Sequence, residues 1–337
     1  MPLLRLLIVL SVFRGTVAYS QPSPTYIIVE EGRIGSLEND DSIFGLIRGV
    51  EVDSKGRVHV LDGIRRDIRR FSSAGQLERL FNLTTGSGPG EFQMPWSFAL
   101  SEDEHKYYVW DQEERRISLL DVESGAFLGA FTVSRGAGLW LRGHRDGTVA
   151  ATFAQRVLPP EGHIVRVFSE EGEELNSFGE KHPLYYEYLN ADLQDFREVS
   201  LAYASGRWFL SFALPYEIRS FDESGTPLSE ISRDVDFFGS TYEEGEWTFP
   251  TGVGRSVFVP TPGVLAHAVE DRRAGRTLLI LYDFEGKRLG ELPLSGSGTN
   301  KAFFFPSATD GAGLVYGLVS EPFPQLIRFS FGTRSGD

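Results

Sequence analysis

The 337-residue chain contains no cysteine. This absence excludes disulfide bonds, a cysteine nucleophile and lipid attachment to an N-terminal cysteine, so packing and hydrogen bonds must stabilise the fold. The chain also lacks a Gly-x-Ser-x-Gly nucleophile elbow, which excludes the serine hydrolases that use one. Its N-terminal apolar stretch, residues 6–13, is too short to cross a bilayer.

Positive charge is scarce in this sequence. The chain has 33 Lys and Arg residues against 47 Asp and Glu residues, and its net charge is −14. A protein this acidic repels the phosphates of nucleic acids and the surfaces of anionic membranes. We therefore expect no nucleic-acid partner, and the short apolar stretch predicts no membrane span.

The first twenty residues have the features of a secretory signal. Arg5 precedes the apolar stretch, and the small residues Ala18 and Ser20 form a cleavage site before Gln21. Arg14 shortens the apolar region, so the alternative is an uncleaved anchor at the membrane interface. The signal interpretation predicts a signal peptide over residues 1–20, a mature domain over residues 21–337, and a secreted or periplasmic location.

The sequence repeats one pattern six times: an apolar strand, a polar turn ending in Gly, and a second short apolar strand. Equivalent apolar positions are separated by 49, 48, 53, 61 and 47 residues, and they are Phe71, Leu120, Phe168, Phe221, Tyr282 and Phe329. This period is typical of β-propeller blades. A content of 26 Phe, 12 Tyr and 5 Trp also favours strands over helices.

The turns and strand pairs within each copy predict the architecture. Turns such as Asp222-Glu-Ser-Gly225 place Asp or Ser first and Gly fourth, as in a type I turn whose Gly has a positive φ. Another apolar strand pair precedes each hairpin, which gives four antiparallel strands per blade. The sixth copy has no last strand after Phe331, whereas residues 26–30 form a spare strand. We predict an all-β, six-bladed propeller closed by pairing of the N-terminal strand with the last blade.

Two copies resemble a known repeat family. Residues 86–100 (GSGPGEFQMPWSFAL), 108–111 (YVWD) and 115–117 (RRI) are similar to an NHL repeat, and residues 50–62 and 68–71 show the same pattern. The other four copies keep the strand and hairpin rhythm but lack the Asp after the second strand. The resemblance implies a six-bladed NHL-type propeller of the exported bacterial kind. The glycines of residues 86–90 precede a strand rather than a helix, so we interpret them as a crossing between blades and not as a phosphate-binding loop.

Ligand sites of propellers lie where the loops between second and third strands meet the connections between blades. Arg65, Arg66, Arg115 and Arg116 occupy equivalent loops of adjacent blades and could attract an anion, although nearby acidic residues could pair with them instead. Two long inserts, residues 181–188 and 237–247, combine aromatic rings with charge. They could recognise glycans or peptides, or they could pack as a lid. The predicted ligand-binding residues are Arg65, Arg66, Trp96, Arg115, Tyr185, Tyr186, Tyr188 and Trp247.

The six histidines give little support to a metal site. His59 and His267 fall within second strands, and His105 and His144 fall at turns of the opposite face. This leaves His163 and His182 as a possible pair of ligands. A calcium site of the lactonase type could gather Glu51, Asp195 and Glu198. No catalytic residue, metal or cofactor is assigned.

These observations favour an exported, monomeric, non-enzymatic propeller that binds a protein, peptide or glycan through its loop-bearing face. The alternative is a metal-dependent hydrolase or lyase, similar to lactonases, with its site at the mouth of the central channel. A stoichiometric metal ion that survives dialysis of the purified protein would favour the enzyme.

The mature protein should begin near Gln21, because the apolar stretch is short and a small-residue cleavage site follows it. N-terminal sequencing of exported material checks this expectation. Retention of residues 1–20 on membranes would contradict it and support the interfacial anchor.

Overall fold

A computed structural model describes residues 25–133, 137–155, 158, 162–185, 199–233, 241–243, 246–248, 252–294 and 302–334. The predicted signal peptide lies outside these residues. In the described part of the chain, no helix has the length and apolar character needed to cross a membrane.

The described residues form six four-stranded antiparallel sheets and two short strand pairs. Their strands, in chain order, are β1 (Thr25–Ile34), β2 (Ile47–Val52), β3 (Val58–Asp62), β4 (Asp67–Phe71), β5 (Leu77–Asn82), β6 (Thr84–Thr85), β7 (Glu91–Phe92), β8 (Pro95–Leu100), β9 (Lys106–Asp111), β10 (Arg116–Asp121), β11 (Phe127–Thr132), β12 (Ala137–His144), β13 (Thr148–Phe153), β14 (His163–Phe168), β15 (Glu174–Glu180), β16 (Val199–Ala204), β17 (Arg207–Phe212), β18 (Glu217–Asp222), β19 (Pro227–Ser232), β20 (Thr241–Glu243), β21 (Glu246–Thr248), β22 (Gly252–Thr261), β23 (Val264–Asp271), β24 (Arg276–Tyr282), β25 (Arg288–Pro293), β26 (Phe303–Thr309), β27 (Leu314–Val319) and β28 (Gln325–Arg334). Single 3-10 turns occur at Asp40–Ser42 and Arg145–Gly147.

The six sheets are the blades of a closed ring. Blades 1 to 5 are β2–β5, β8–β11, β12–β15, β16–β19 and β22–β25, each running from an inner to an outer strand. The first strand of every blade contacts the first strand of the next, and β26 of blade 6 returns to β2 of blade 1. The six-bladed all-β prediction is confirmed.

The N-terminal strand completes the sixth blade, as predicted. β1 pairs antiparallel with β28 from Thr25↔Arg334 to Ile34↔Leu326, with one irregularity between Glu30 and Gly32. The pairing is longer than residues 26–30, and the rings of Tyr26 and Phe331 stack with centroids 5.7 Å apart. Blade 6 is therefore built from both ends of the described chain, which covers an edge that would otherwise be unpaired.

The hairpin glycines set the distance between neighbouring blades. Gly172 has a φ of 87°, and a Cβ on it would lie 2.6 Å from Cβ of Phe131 in the outer strand of blade 2. The same contact recurs in the other hairpins, where the glycine meets the outer strand of the preceding blade: Gly125 with Phe81, Gly225 with Phe178, Gly286 with Ile231 and Gly75 with Ile34. We call these five contacts the interblade clasp. A side chain at the glycine would both strain the turn and push the blades apart.

The fifth clasp contact links ring closure to packing between blades. Ile34, at the end of β1, is 5% exposed and lies against Gly75 of blade 1. The N-terminal strand thus hydrogen-bonds to blade 6 and packs on blade 1. Loss of β1 would expose the edge of β28 and would also remove one of the five contacts of the interblade clasp.

We expect a chain that begins at Ser36 to be markedly less stable than one that begins at Gln21, because it lacks β1. Ile34→Ala should lower the free energy of unfolding by about 2–4 kcal/mol, since it truncates a buried side chain at the closure. Chemical denaturation of the truncated chain and of Ile34→Ala measures these losses of stability. Leu80→Ala, at an exposed position of an outer strand, is the control. Equal stability of wild type, Ile34→Ala and Leu80→Ala would contradict the assigned role of the interblade clasp.

Candidate functional site

Three aspartates at the ends of second strands organise the loop-bearing face. The carboxylate of Asp62 accepts the backbone N–H groups of Gly45 and Leu46 at 2.6 and 3.1 Å, and that of Asp111 accepts those of Gln93 and Met94. Each carboxylate therefore links the loop between the second and third strands of its own blade to the segment that enters that blade. The repeat pattern predicted this aspartate in two blades only, but Asp271 ends β23 and accepts the N–H of Ala274 at 3.0 Å. Blade 5 therefore carries it too.

Arg66 and Arg115 occupy the same place in equivalent loops, and both have a left-handed backbone, with φ of 55° and 51°. The corresponding residue of blade 5 is Gly275, with φ of 62°. These loops thus share one backbone shape, which requires a residue at a positive φ four positions after the aspartate. The backbone position of both arginines follows from this turn.

The four arginines that could have formed an anion patch have different surroundings. The guanidinium of Arg116 donates to the carbonyls of Ser87, Gly88 and Glu91, and so holds the glycine-rich crossing. Arg66 donates to Thr85 Oγ1 at 2.7 Å, and Nε of Arg65 lies 3.9 Å from Asp67 Oδ2. Arg115 is exposed. Three of the four guanidinium groups are therefore engaged with protein atoms.

Trp96 lies under a cation that the sequence analysis did not single out. The guanidinium carbon of Arg48 is 3.6 Å from the centroid of the Trp96 ring. Both residues occupy irregular positions near the start of an inner strand, between Ile47 and Gly49 in β2 and between Pro95 and Ser97 in β8. Such bulges turn a side chain away from the regular alternation of a strand. The two bulges place Arg48 and Trp96 together across the boundary between blades 1 and 2.

Exposed apolar side chains accompany this pair. Leu46 and Ile64 are 36% and 67% exposed, and Met94 is 38% exposed. Leu46 and Met94 lie two residues before Arg48 and Trp96, and Gly63, beside Ile64, lies against the Arg48 side chain. We call Leu46, Arg48, Ile64, Met94 and Trp96 the blade 1–2 face. Burial lowers the pKa of Arg48, and among the described residues no carboxylate pairs with it.

Aromatic side chains obstruct the central channel. The ring of Trp140, on the inner strand of blade 3, stacks on Phe303 at 6.1 Å and meets Phe305 edge-on at 5.9 Å, both on the inner strand of blade 6. The indole N–H of Trp140 also donates to the carbonyl of Val199 in blade 4. Because blades 3 and 6 are opposite each other in the ring, these contacts cross the channel.

A buried acid lies on the channel side of blade 1. Glu51 is 4% exposed, and Oε2 lies 3.6 Å from a guanidinium nitrogen of Arg142 on the inner strand of blade 3. Burial raises the pKa of Glu51 to about 7, against an opposing contribution from the nearby Arg142 guanidinium. The contact with Arg142 is long, and burial outweighs it. Glu51 therefore binds its proton far more tightly than an exposed glutamate does.

The predicted aromatic inserts are only partly described. Tyr185 is 2% exposed, and the ammonium of Lys181 lies 5.7 Å from its ring centroid, so its ring is not part of an exposed recognition surface. Tyr186 and Tyr188 lie outside the described residues. Trp247 belongs to the β20–β21 hairpin, in which it pairs with Tyr242.

The candidate metal ligands that the structure describes have other partners. His182 is buried, with Nε2 3.0 Å from Glu217 Oε2, and Nδ1 of His163 lies 3.0 Å from Ser177 Oγ. Asp195 and Glu198 lie outside the described residues. Within the described part of the chain, no three His, Asp or Glu residues are grouped as metal ligands. His59 and His267 lie in second strands, as predicted.

No protein-family model and no curated protein matches the sequence. Solved structures do match the fold. A member of the DUF4221 family from Bacteroides vulgatus has a TM-score of 0.62 at 11% identity, over 94% of this chain and 100% of that chain. A protein described as exported, from Bacteroides fragilis, has 0.59 at 12%, over 92% and 96%. The PQQ-bound aldose sugar dehydrogenase of Streptomyces coelicolor has 0.59 at 13%, over 93% and 100%. At these identities the chain shares a propeller fold with them and nothing finer is shown.

Replacing Glu51 should change how stability depends on pH. The unfolded carboxyl ionises near its usual pKa of 4.5, whereas the folded one retains its proton to about 7. The contribution of Glu51 to the free energy of unfolding is therefore largest below pH 4.5. It decreases as the pH rises towards 7 and is lost above pH 7. Between pH 5 and pH 8, wild type should lose about 2–3 kcal/mol more unfolding free energy than Glu51→Gln.

Urea denaturation at the two pH values measures this difference. Glu38→Gln, at an exposed glutamate, is the matched control and should keep the wild-type pH dependence. If Glu51→Gln keeps it as well, the carboxyl of Glu51 does not hold a proton in the folded protein.

Proposed function

We propose that the protein is an exported, monomeric binding propeller that recognises a partner protein or peptide through the blade 1–2 face. The observation that carries this proposal is the Arg48–Trp96 stack, with its 3.6 Å separation, among three exposed apolar side chains. Trp and Arg are the residues most enriched at the energetic centres of protein interfaces. Clustered exposed apolar groups around them are typical of a binding surface.

The charge of Arg48 indicates what the partner presents. Its guanidinium is partly desolvated, and the described residues offer it no carboxylate. A partner carboxylate that paired with this guanidinium would supply a counter-charge in a partly desolvated contact. We therefore favour a partner that inserts an Asp, Glu or C-terminal carboxylate beside apolar side chains.

A protein or peptide suits the blade 1–2 face better than a glycan does. One face of the Trp96 ring already carries the Arg48 guanidinium, so a sugar could stack only on the other face. Leu46, Ile64 and Met94 offer aliphatic contacts rather than the hydrogen-bonding groups that sugars require.

The alternative function, a metal-dependent hydrolase or lyase at the channel mouth, gains no support from the described residues. The acid of the channel, Glu51, faces an arginine, and the candidate histidines have other partners. Metal analysis of the dialysed protein remains the measurement that separates the two functions.

Site-specific photo-crosslinking in the cells that make the protein tests the binding function. A photoreactive side chain at position 64 should give a discrete partner adduct, whereas one at position 55, on the opposite face of blade 1, should not. Arg48→Glu should reduce the adduct at position 64 by at least about tenfold, because it reverses the charge at the proposed centre.

Lys55→Glu is the matched control. It makes the same change in net charge at an exposed site, and it should leave the adduct unchanged. Both variants should melt within a few degrees of wild type. An adduct that survives Arg48→Glu, or that forms equally from position 55, would overturn the assignment of the blade 1–2 face.

A further inference from the structure

A second surface lies on the outer wall of the ring, between blades 3 and 4. A groove of about 710 Å³ is lined on one side by the outer strand of blade 3, residues 177–180, and on the other by residues 227–230 of blade 4. It extends from the hairpin at Gly225 to the loop-bearing end at Lys181 and Pro183. The lining residues thus follow the two flanking outer strands.

The shape and the backbone of this groove suit an extended chain. Within the described part of the chain, β15 pairs with β14 and with no other strand. On its other edge the N–H of Ser177 is bonded to Asn176 Oδ1 and the carbonyl of Glu180 to Arg219, and the rest of that edge is available to a partner strand. Four strand residues span about 13 Å, the length of a four-residue extended segment. Across the groove, Pro227 opens β19, where it can donate no hydrogen bond. A bound segment would therefore pair with β15 rather than with β19.

The cations of the groove are already committed to protein atoms. Arg219 donates to Glu217 Oε1 at 2.5 Å and to the carbonyl of Glu180 at 2.8 Å, and its guanidinium lies over the ring of Phe212. The ammonium of Lys181 donates to the carbonyl of Leu158.

The carboxylates are not committed in this way. Glu180 and Glu230 line the groove and are exposed, and their carboxylates have no hydrogen bond or ion pair among the described residues. Leu228, 49% exposed, adds an apolar contact on the blade 4 side. Among the described residues, the charged groups of the groove that lack a partner are therefore carboxylates, and part of its exposed surface is apolar.

We propose that this groove binds an extended peptide segment that adds to the edge of β15 and carries a Lys or Arg beside an apolar residue. The basic side chain lies between the carboxylates of Glu180 and Glu230, and the apolar one packs on Leu228. Main-chain pairing with a sheet edge provides affinity, and the side-chain pockets provide selectivity. This site is separate from the blade 1–2 face in position and in the charge it selects.

Selection from a display library of random nine-residue peptides, using the whole mature protein as bait, tests the proposal. The selected peptides should carry Lys or Arg next to an aliphatic or aromatic residue. A synthetic copy of the consensus should bind wild type, and Glu180→Lys combined with Glu230→Lys should weaken its binding by at least about tenfold. Selection against this double variant should instead yield acidic peptides.

Matched variants separate the groove from general electrostatics and from the other surface. Glu38→Lys combined with Glu173→Lys makes the same charge change at two exposed sites outside the groove, and it should bind the peptide as wild type does. Arg48→Glu should also bind it normally, so the result does not depend on the function proposed for the blade 1–2 face.

Hydrogen exchange locates the bound peptide. Amides of residues 174–180 should exchange more slowly in the complex if the peptide adds to β15. The proposal is overturned if no peptide binds, if the consensus lacks a basic residue, if the double variant binds it like wild type, or if protection falls elsewhere.

Discussion

The structure depends on the close approach of neighbouring blades at the hairpin glycines. At Gly125 and Gly172 the outer-strand phenylalanine of the preceding blade occupies the space that a Cβ would fill, at 2.6 Å. Each blade is thereby packed on the one before it, and large aromatic side chains such as Trp110 and Trp208 are fully enclosed. With no cysteine to cross-link it, the ring must be closed by the same contact. Ile34 on Gly75 provides this, because β1 completes blade 6 and also reaches blade 1.

The side chains with functional potential lie where the regular repeat of the ring is interrupted. The aspartate at the end of the second strand holds the loops of blades 1, 2 and 5 in one shape, and bulges in the inner strands then direct Arg48 and Trp96 towards each other. In the channel, Trp140 and the pair of Glu51 with Arg142 join blades that are not neighbours. The surfaces proposed for binding differ in charge: among the described residues, one has a guanidinium without a carboxylate partner and the other has carboxylates without a cationic partner.

The similar structures illustrate why the fold alone does not decide the function. A sugar dehydrogenase and a protein described as exported match this chain about equally well, since one architecture can carry unrelated sites. The function of this protein therefore depends on its own side chains. In the channel, Glu51 faces Arg142 and Trp140 stacks on Phe303. The blade 1–2 face and the groove between blades 3 and 4 instead carry charged groups that no oppositely charged group pairs with in the described part of the chain.

The period of the apolar positions, the hairpin turns and the spare N-terminal strand were enough to predict six blades and their closure, because strand alternation and turn chemistry are local properties of a sequence. The same count placed Trp96 at the start of the first strand of blade 2, but it did not predict the contact of Trp96 with Arg48. Arg48 meets Trp96 only because two bulges coincide across a blade boundary, and the burial of Tyr185 likewise depends on neighbours distant in sequence. Which charges were left unpaired was decided by the tertiary structure, since pairing depends on distances that no local pattern specifies.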